Sequence, residues 1–228
     1  MACAADCQSV TTFGLSDGAD IHATDVAIDA NGGASFTLHV AGRPAGVVTL
    51  RTVGKHQVPN ALAAAAVGHL AGIAPDDIVE RLSRADGARM RMQVERVKGV
   101  TIINDTYNAN PASVAAAFDT FGSMAVEGSR WVLLGDMLEL GPDAEEAHRA
   151  VAREISPEWC HGFIPFGEYA DAMAETAGAG RAGTRVAAIA RCATKAHVVE
   201  TLTSQLRPGD ALLAKGSRGA RMETVVDA

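Results

Sequence analysis

The residues best suited to chemistry fall in three short polar loops, each directly after an apolar run. These loops are Asn104–Asn110, Gly135–Gly141 and Lys215–Gly219. Asn110 fits an N-cap with proline after it at the first helical position, which leaves Asp105, Tyr107 and Asn108 without a purely structural explanation. The third loop combines glycine with two cations at a helix start, an arrangement that favours an anion. Together the loops predict a binding cleft at one edge of one sheet.

The elements that must position these loops alternate strand and helix from Met92 onward. The predicted strands are Gln93–Val97, Val100–Asn104, Trp131–Leu134, Gly162–Phe166, Arg185–Ile189 and Ala211–Ala214. The predicted helices are Pro111–Ala125, Asp143–Ile155, Tyr169–Glu175, Ala193–Gln205 and Ala220–Val226. This alternation predicts an α/β fold with a doubly wound, mostly parallel, Rossmann-like sheet covered on both faces. Ligands of such sheets bind at the carboxyl ends of the strands, where all three loops would lie.

The preceding part of the chain has a different pattern. Residues 10–53 contain short alternating segments separated by turn residues, which predicts an antiparallel meander. An Ala-rich helix follows from Pro59, with Leu62, Val67 and Leu70 expected near one face. That face would need a partner, either the second domain or another chain. A further helix is expected from Pro75, ending at a left-handed glycine, Gly87.

A domain boundary is predicted at the change of pattern, giving domains of residues 1–90 and 91–228.

The net charge of -7 argues against a nucleic-acid groove, which needs clustered cations. The four cysteines, Cys3, Cys7, Cys160 and Cys192, are scattered without metal-ligand spacing, and we expect them to be reduced thiols. The histidines share no ligand spacing either, so we expect no metal site in the chain. The sequence shows no signal peptide and no apolar run of membrane-spanning length, so we expect a cytoplasmic protein without membrane insertion.

A family resemblance begins at Gly54–Ala64 (GKHQVPNALAA). This segment resembles the Mur ligase superfamily motif that joins the small sheet of the central ATPase domain to its late helices. The strings Tyr107–Asn110 (YNAN), Gly135–Gly141 (GDMLELG) and Lys215–Gly219 (KGSRG) resemble, in order, the superfamily member that adds D-alanyl-D-alanine. The resemblance runs from about Val10 onward. It implies that residues 1–90 are the later part of the central ATP-binding domain and that residues 91–228 are the acceptor-binding domain.

The resemblance also implies an activity and its cofactors. Such ligases use ATP and Mg²⁺ to phosphorylate the carboxylate of UDP-N-acetylmuramoyl-tripeptide, and D-alanyl-D-alanine then attacks the acyl phosphate to form an amide in peptidoglycan precursor synthesis. By resemblance, Asn60 would contact the nucleotide base, Arg91 would lie near its phosphates and Asp105 near its ribose. The residues implied on the acceptor side are Asn108, Asn110, Asp136, Lys215 and Ser217. No residue is implied as a catalytic group.

The sequence departs from the family pattern in two respects. Gln57 stands where the family usually has asparagine after the motif histidine. No Gly-Lys-Thr phosphate loop is present, so we expect this chain alone to be inactive. Two alternatives stay open: another Mur-type amino-acid ligase, and a non-catalytic module that binds small peptides. The third-residue ligases that add diaminopimelate carry an Asp-Asn-Pro-Arg motif, which is absent here. The sequence leaves the third residue of the tripeptide and the oligomeric state undetermined.

Overall fold

The computed structural model describes residues 10–179, 186 and 188–228. The chain divides into two compact units, Met1–Asp86 (unit 1) and Gly87–Ala228 (unit 2). Cys3, Cys7 and part of the strand expected at Arg185–Ile189 lie outside the described residues. In the described ranges, no helix is both long and apolar enough to cross a membrane.

Unit 1 is a four-stranded sheet covered by two helices. Its elements are β1 (Phe13–Gly14), β2 (Ile21–Ile28), β3 (Gly33–Val40), β4 (Arg43–Val53), α1 (Gln57–Leu70) and α2 (Pro75–Arg84). The strands lie in the order β1-β2-β3-β4. β3 alternates buried and half-buried positions, as expected for a strand with one face on a core, and the buried residues pack with the inner face of α1.

The antiparallel meander is confirmed for β2, β3 and β4, but β1 pairs parallel with β2. The prediction that Leu62, Val67 and Leu70 lie near one face of α1 is wrong. Leu62 is fully buried, whereas Val67 and Leu70 are 68% and 63% exposed. Leu62 and Val67 are five residues apart, so helical geometry turns their side chains about 140° away from each other. The expected left-handed cap at Gly87 is also wrong, because α2 ends at Arg84 and Ala85 continues in extended backbone.

Unit 2 is a six-stranded sheet with helices between its strands. Its strands are β5 (Gln93–Val97), β6 (Val100–Asp105), β7 (Arg130–Gly135), β8 (Gly162–Phe166), β9 (Ala188–Ile189) and β10 (Ala211–Lys215). Its α-helices are α3 (Pro111–Ser123), α4 (Ala144–Ala152), α5 (Ala170–Ala179), α6 (Lys195–Gln205) and α7 (Glu223–Val226). Short 3₁₀ helices at Gly141–Asp143 and Arg218–Ala220 precede α4 and α7.

The sheet of unit 2 has the order β5-β6-β10-β7-β8-β9, and only β5 runs antiparallel to its neighbour. The predicted mostly parallel α/β sheet is therefore confirmed. One face of β7, β8 and β10 packs against α6 and α7 around Trp131, Leu133, Leu212 and Met222. α3, α4 and α5 contact one another in sequence. β10 lies between β6 and β7, so the ends of these strands meet at the centre of the sheet.

Candidate functional site

The three polar loops lie side by side at the carboxyl edge of the unit 2 sheet. In the strand register, Lys215 at the end of β10 is opposite Asp105 of β6 on one side and Leu134 of β7 on the other. The loops after these strands are therefore neighbours, although Asp105 and Lys215 are separated by 110 residues of sequence. The predicted convergence of the three loops is confirmed.

A buried ion pair lies at the centre of this edge. The Lys215 side chain is 2% exposed, and its Nζ donates to Asp105 Oδ2 at 2.6 Å and to the Asn108 carbonyl oxygen at 2.9 Å. The other carboxylate oxygen of Asp105 accepts from the Met92 backbone N–H at 3.1 Å. Each charge thus has its counter-ion and additional hydrogen bonds, which a buried pair requires. The pair connects the ends of two strands to the loop after β6.

The loop after β6 ends in a complete helix cap. Asn110 Oδ1 accepts from the Ser113 N–H at 2.8 Å, and Ser113 Oγ accepts from the Asn110 N–H at 3.0 Å. This reciprocal arrangement satisfies donors that the first turn of α3 would otherwise leave open. Asn108 Oδ1 accepts from the Ala109 N–H at 2.9 Å. The side-chain oxygens of both asparagines are therefore engaged in shaping their own loop.

Replacing Asn110 with alanine is expected to lower the free energy of unfolding of unit 2 by about 1 kcal/mol, because the Ser113 N–H loses its acceptor. Urea unfolding followed by tryptophan fluorescence measures this, since Trp131 and Trp159 both lie in unit 2. Thr194→Ala, which removes the N-cap hydroxyl of α6, should cost a similar amount. A change at Asn110 of less than a quarter of the Thr194 value would contradict the capping role.

Ser217 joins the other two loops to the first. Its Oγ donates to the Ala109 carbonyl oxygen at 3.2 Å and accepts from the Leu138 N–H at 2.8 Å. Its own backbone N–H donates to the Asp136 carbonyl oxygen at 2.9 Å. One buried hydroxyl therefore fixes the spacing of all three loops.

Asp136 faces the loop after β8. Its carboxylate accepts from the Glu168 N–H at 2.8 Å and from the Tyr169 N–H at 3.2 Å. His148 is fully buried, and its Nε2 lies 3.9 Å from Asp136 Oδ1. The spacing Ala144, His148, Val151 and Ala152 follows the buried stripe of α4, and this is the sequence signal that could have identified it.

The exposed side of the edge carries cations around an aromatic ring. The Arg91 guanidinium lies 4.1 Å from the centroid of the Tyr107 ring, and that of Arg218 lies at 5.9 Å. Arg218 also approaches Glu223 at 3.8 Å, whereas Arg91 has no carboxylate partner among the described residues. A guanidinium that lies over a ring face still has N–H groups that can bind an anion.

Asn60, the remaining predicted nucleotide contact, lies in unit 1 on the exposed first turn of α1. Its Nδ2 donates to Gln57 Oε1 at 3.1 Å, and Gln57 Nε2 contacts His56 Nε2 at 3.1 Å. Gln57, which departs from the family pattern, therefore accepts a hydrogen bond from Asn60 and also contacts the motif histidine, His56.

Two kinds of chemistry receive no support from the side chains. In the part of the chain that is described, no group of three or more His, Cys, Asp or Glu residues could hold a metal ion, so we assign no Mg²⁺ ligand to it. Burial raises the pKa of the Cys160 thiol to about 12, which keeps it protonated and unsuited to act as a nucleophile near neutral pH.

Comparison with known proteins places this geometry in a family. Residues 90–218, more than half of the chain, match the model of the Mur ligase, glutamate ligase domain. The chain is 35% identical over 175 residues to the UDP-N-acetylmuramoyl-tripeptide–D-alanyl-D-alanine ligase of Bacillus subtilis, covering 76% of this chain and 38% of that protein. It is 36% identical over 231 residues to the protein of the same name from Mycobacterium tuberculosis, covering 92% of this chain and 44% of that protein.

A solved structure agrees with the sequence matches. The crystal structure of MurF from Acinetobacter baumannii superimposes with a TM-score of 0.83 at 29% identity, over 95% of this chain and 46% of that one. The chain thus spans less than half the length of these relatives. The family match covers the three loops up to Arg218, and the chain therefore belongs to the Mur ligase family.

Proposed function

We propose that this chain supplies the acceptor side of an ATP-dependent ligase that joins D-alanyl-D-alanine to UDP-N-acetylmuramoyl-tripeptide through an acyl phosphate, a step of peptidoglycan precursor synthesis. The observation that carries the proposal is the similarity of 92% of the chain to a relative named for this reaction. Since the chain spans only part of such relatives, the complete activity would require more protein than these residues. Such an ATP-dependent reaction would take place in the cytoplasm.

The proposed domain roles follow the two units. Residues 1–90 would be the later part of an ATP-binding domain, and residues 91–228 the acceptor-binding domain. Asn60, Arg91 and Asp105 are proposed to contact the nucleotide, Arg91 with the support of its available guanidinium on Tyr107. ATP would supply the phosphoryl group, with Mg²⁺ offsetting its charge. Asp105 already balances Lys215, so it would offer a nucleotide ribose hydrogen bonds more than charge.

Asn108, Asn110, Asp136, Lys215 and Ser217 are proposed to form the acceptor side. Their polar atoms are largely engaged with one another and with backbone groups. We therefore propose that these residues act mainly by holding loop backbone in position. Exposed groups of the same loops, such as the Arg218 guanidinium, would take the carboxylate of a dipeptide.

The experiment titrates the chain with D-alanyl-D-alanine and with L-alanyl-L-alanine, following backbone amide signals by NMR. We expect the D,D-dipeptide to shift signals in the loops 106–110, 136–140 and 216–219 at concentrations at which the L,L-dipeptide does not. Ser217→Ala should weaken binding about tenfold, because one hydroxyl fixes all three loops. The matched control is Ser204→Ala, since the Ser204 hydroxyl donates to the Thr201 carbonyl oxygen of its own helix.

Two outcomes would contradict the proposal. If saturating D,D-dipeptide left the loop signals unchanged, the proposed acceptor-binding role of this chain would be wrong. Phosphate release from ATP that depends on both tripeptide and dipeptide would show that the chain is active alone, which we do not expect. Dipeptide binding to this chain, with no turnover even when the rest of a ligase of this family is supplied in trans, would favour the second candidate, a non-catalytic peptide-binding module.

A further inference from the structure

His148 has a fixed tautomer. The Met137 backbone N–H points at its Nε2 at 2.8 Å, and its Nδ1 lies 2.6 Å from the Ala144 carbonyl oxygen. A backbone N–H can only donate and a carbonyl oxygen can only accept, so Nε2 is bare and Nδ1 carries the proton. The ring is therefore neutral. The approach of Nε2 to Asp136 Oδ1 at 3.9 Å is accordingly not an ion pair.

The ring belongs to a closed set of contacts between two loops. Met137 follows Asp136, whose carboxylate binds the N–H groups of Glu168 and Tyr169. The Tyr169 ring in turn stacks on His148, with centroids 4.3 Å apart and planes inclined by 21°. The loop after β7 and the loop after β8 are thus held against the same histidine, one by a hydrogen bond and the other by a stacked ring.

This contact lies one residue from the loop that Ser217 fastens. Leu138, next to Met137, donates its N–H to Ser217 Oγ. The backbone of residues 136–138 is consequently held at two points. His148 binds the Met137 N–H, and Ser217, in the loop after β10, binds the Leu138 N–H. Loss of the acceptor at Nε2 would leave the buried Met137 N–H without a partner, and such a group costs enough for the loop to move.

We infer that His148 is a positioning residue of the candidate site, which acts through the Met137 N–H to hold the loops after β7 and β8. Its side chain is fully buried and so acts on a ligand only through this backbone. The inference rests on the proposed function only in that these loops would face the acceptor dipeptide. The contacts themselves are independent of what binds.

The test compares two amides in place of the imidazole. His148→Gln places a side-chain oxygen near the position of Nε2 and can accept from Met137, whereas His148→Asn reaches only the position of Nδ1. Hydrogen exchange is measured at the Met137 amide of the whole chain. In His148→Asn we expect exchange at Met137 to be about tenfold faster than in the unmodified chain, and in His148→Gln about the same as in it.

Amides of Val132–Leu134 in β7 serve as the internal reference and should keep their protection in both variants. Equal loss of protection at Met137 and in β7, in both variants, would mean that His148 is merely part of the core and would overturn the inference. Unchanged exchange at Met137 in His148→Asn would overturn it as well. The D,D-dipeptide titration is run on the same samples. Absence of dipeptide binding in the unmodified chain, with the expected exchange pattern, would contradict the proposed function and leave the positioning role standing.

Discussion

Replacing Lys215 with methionine is expected to lower the free energy of unfolding of unit 2 by about 3–5 kcal/mol, the usual effect of breaking a buried ion pair from one side. Methionine has a similar length but no charge, so Asp105, 14% exposed, would lose its counter-ion and keep the hydrogen bond from the Met92 N–H. The Asn108 carbonyl oxygen would also lose its donor. Urea unfolding monitored by tryptophan fluorescence reports on unit 2 and measures the change.

Two further variants distinguish the pair from a general effect of losing a lysine. Lys195→Met removes a half-buried lysine whose ammonium, among the described residues, donates to the Arg221 carbonyl oxygen, and it should change the free energy of unfolding by less than about 0.5 kcal/mol. Asp105→Asn combined with Lys215→Met removes both charges and should recover part of the loss. If the double variant lost more free energy of unfolding than the two single variants lose together, the uncompensated charge would not be the cause.

Replacing Gly167 with alanine is expected to cost about 2–4 kcal/mol in unit 2, the sum of a strained backbone and an overpacked contact. Gly167 has a φ of +120°, a conformation that side-chain-bearing residues rarely adopt. An added Cβ would overlap the carboxylate of Asp136. That carboxylate cannot move away without releasing the N–H groups of Glu168 and Tyr169. The same unfolding experiment measures the loss.

Gly141→Ala separates the two contributions. Gly141 also has a positive φ, +64°, but nothing lies within 4 Å of an added Cβ. Its substitution should cost about 1 kcal/mol from the backbone alone. Equal losses at the two glycines would show that the close approach to Asp136 contributes nothing.

The fold of unit 2 could be predicted because most of its strands are short apolar runs that end at polar loops. Gln93–Val97 and Gly162–Phe166 have the predicted bounds, and the other sheet strands within the described residues differ at their ends. β1 could not be oriented in the same way. It has two residues, and its parallel pairing with β2 depends on where the following turn places the chain, which periodicity does not encode.

The location of the candidate site could be predicted, since loops at the carboxyl ends of adjacent parallel strands lie at the same edge of the sheet. The pairing of individual atoms could not. Nothing local links Lys215 to Asp105, because strand order brings them together. The burial of His148 is hard to predict because its charged neighbours Glu145, Glu146 and Arg149 suggest a solvated face. The helical period places it on the opposite, buried face of α4.

The central position of β10 also constrains how the protein is made. β6 and β7 both pair with β10 and not with each other, yet they leave the ribosome long before it. During that interval each has an unpaired edge, with apolar residues such as Ile103 and Val132 that are buried only in the finished sheet. Unit 2 should therefore fold cooperatively only after residues 211–215 have emerged from the ribosome. A chain interrupted shortly before them would be expected to aggregate, although most of its helices and strands had already been synthesised.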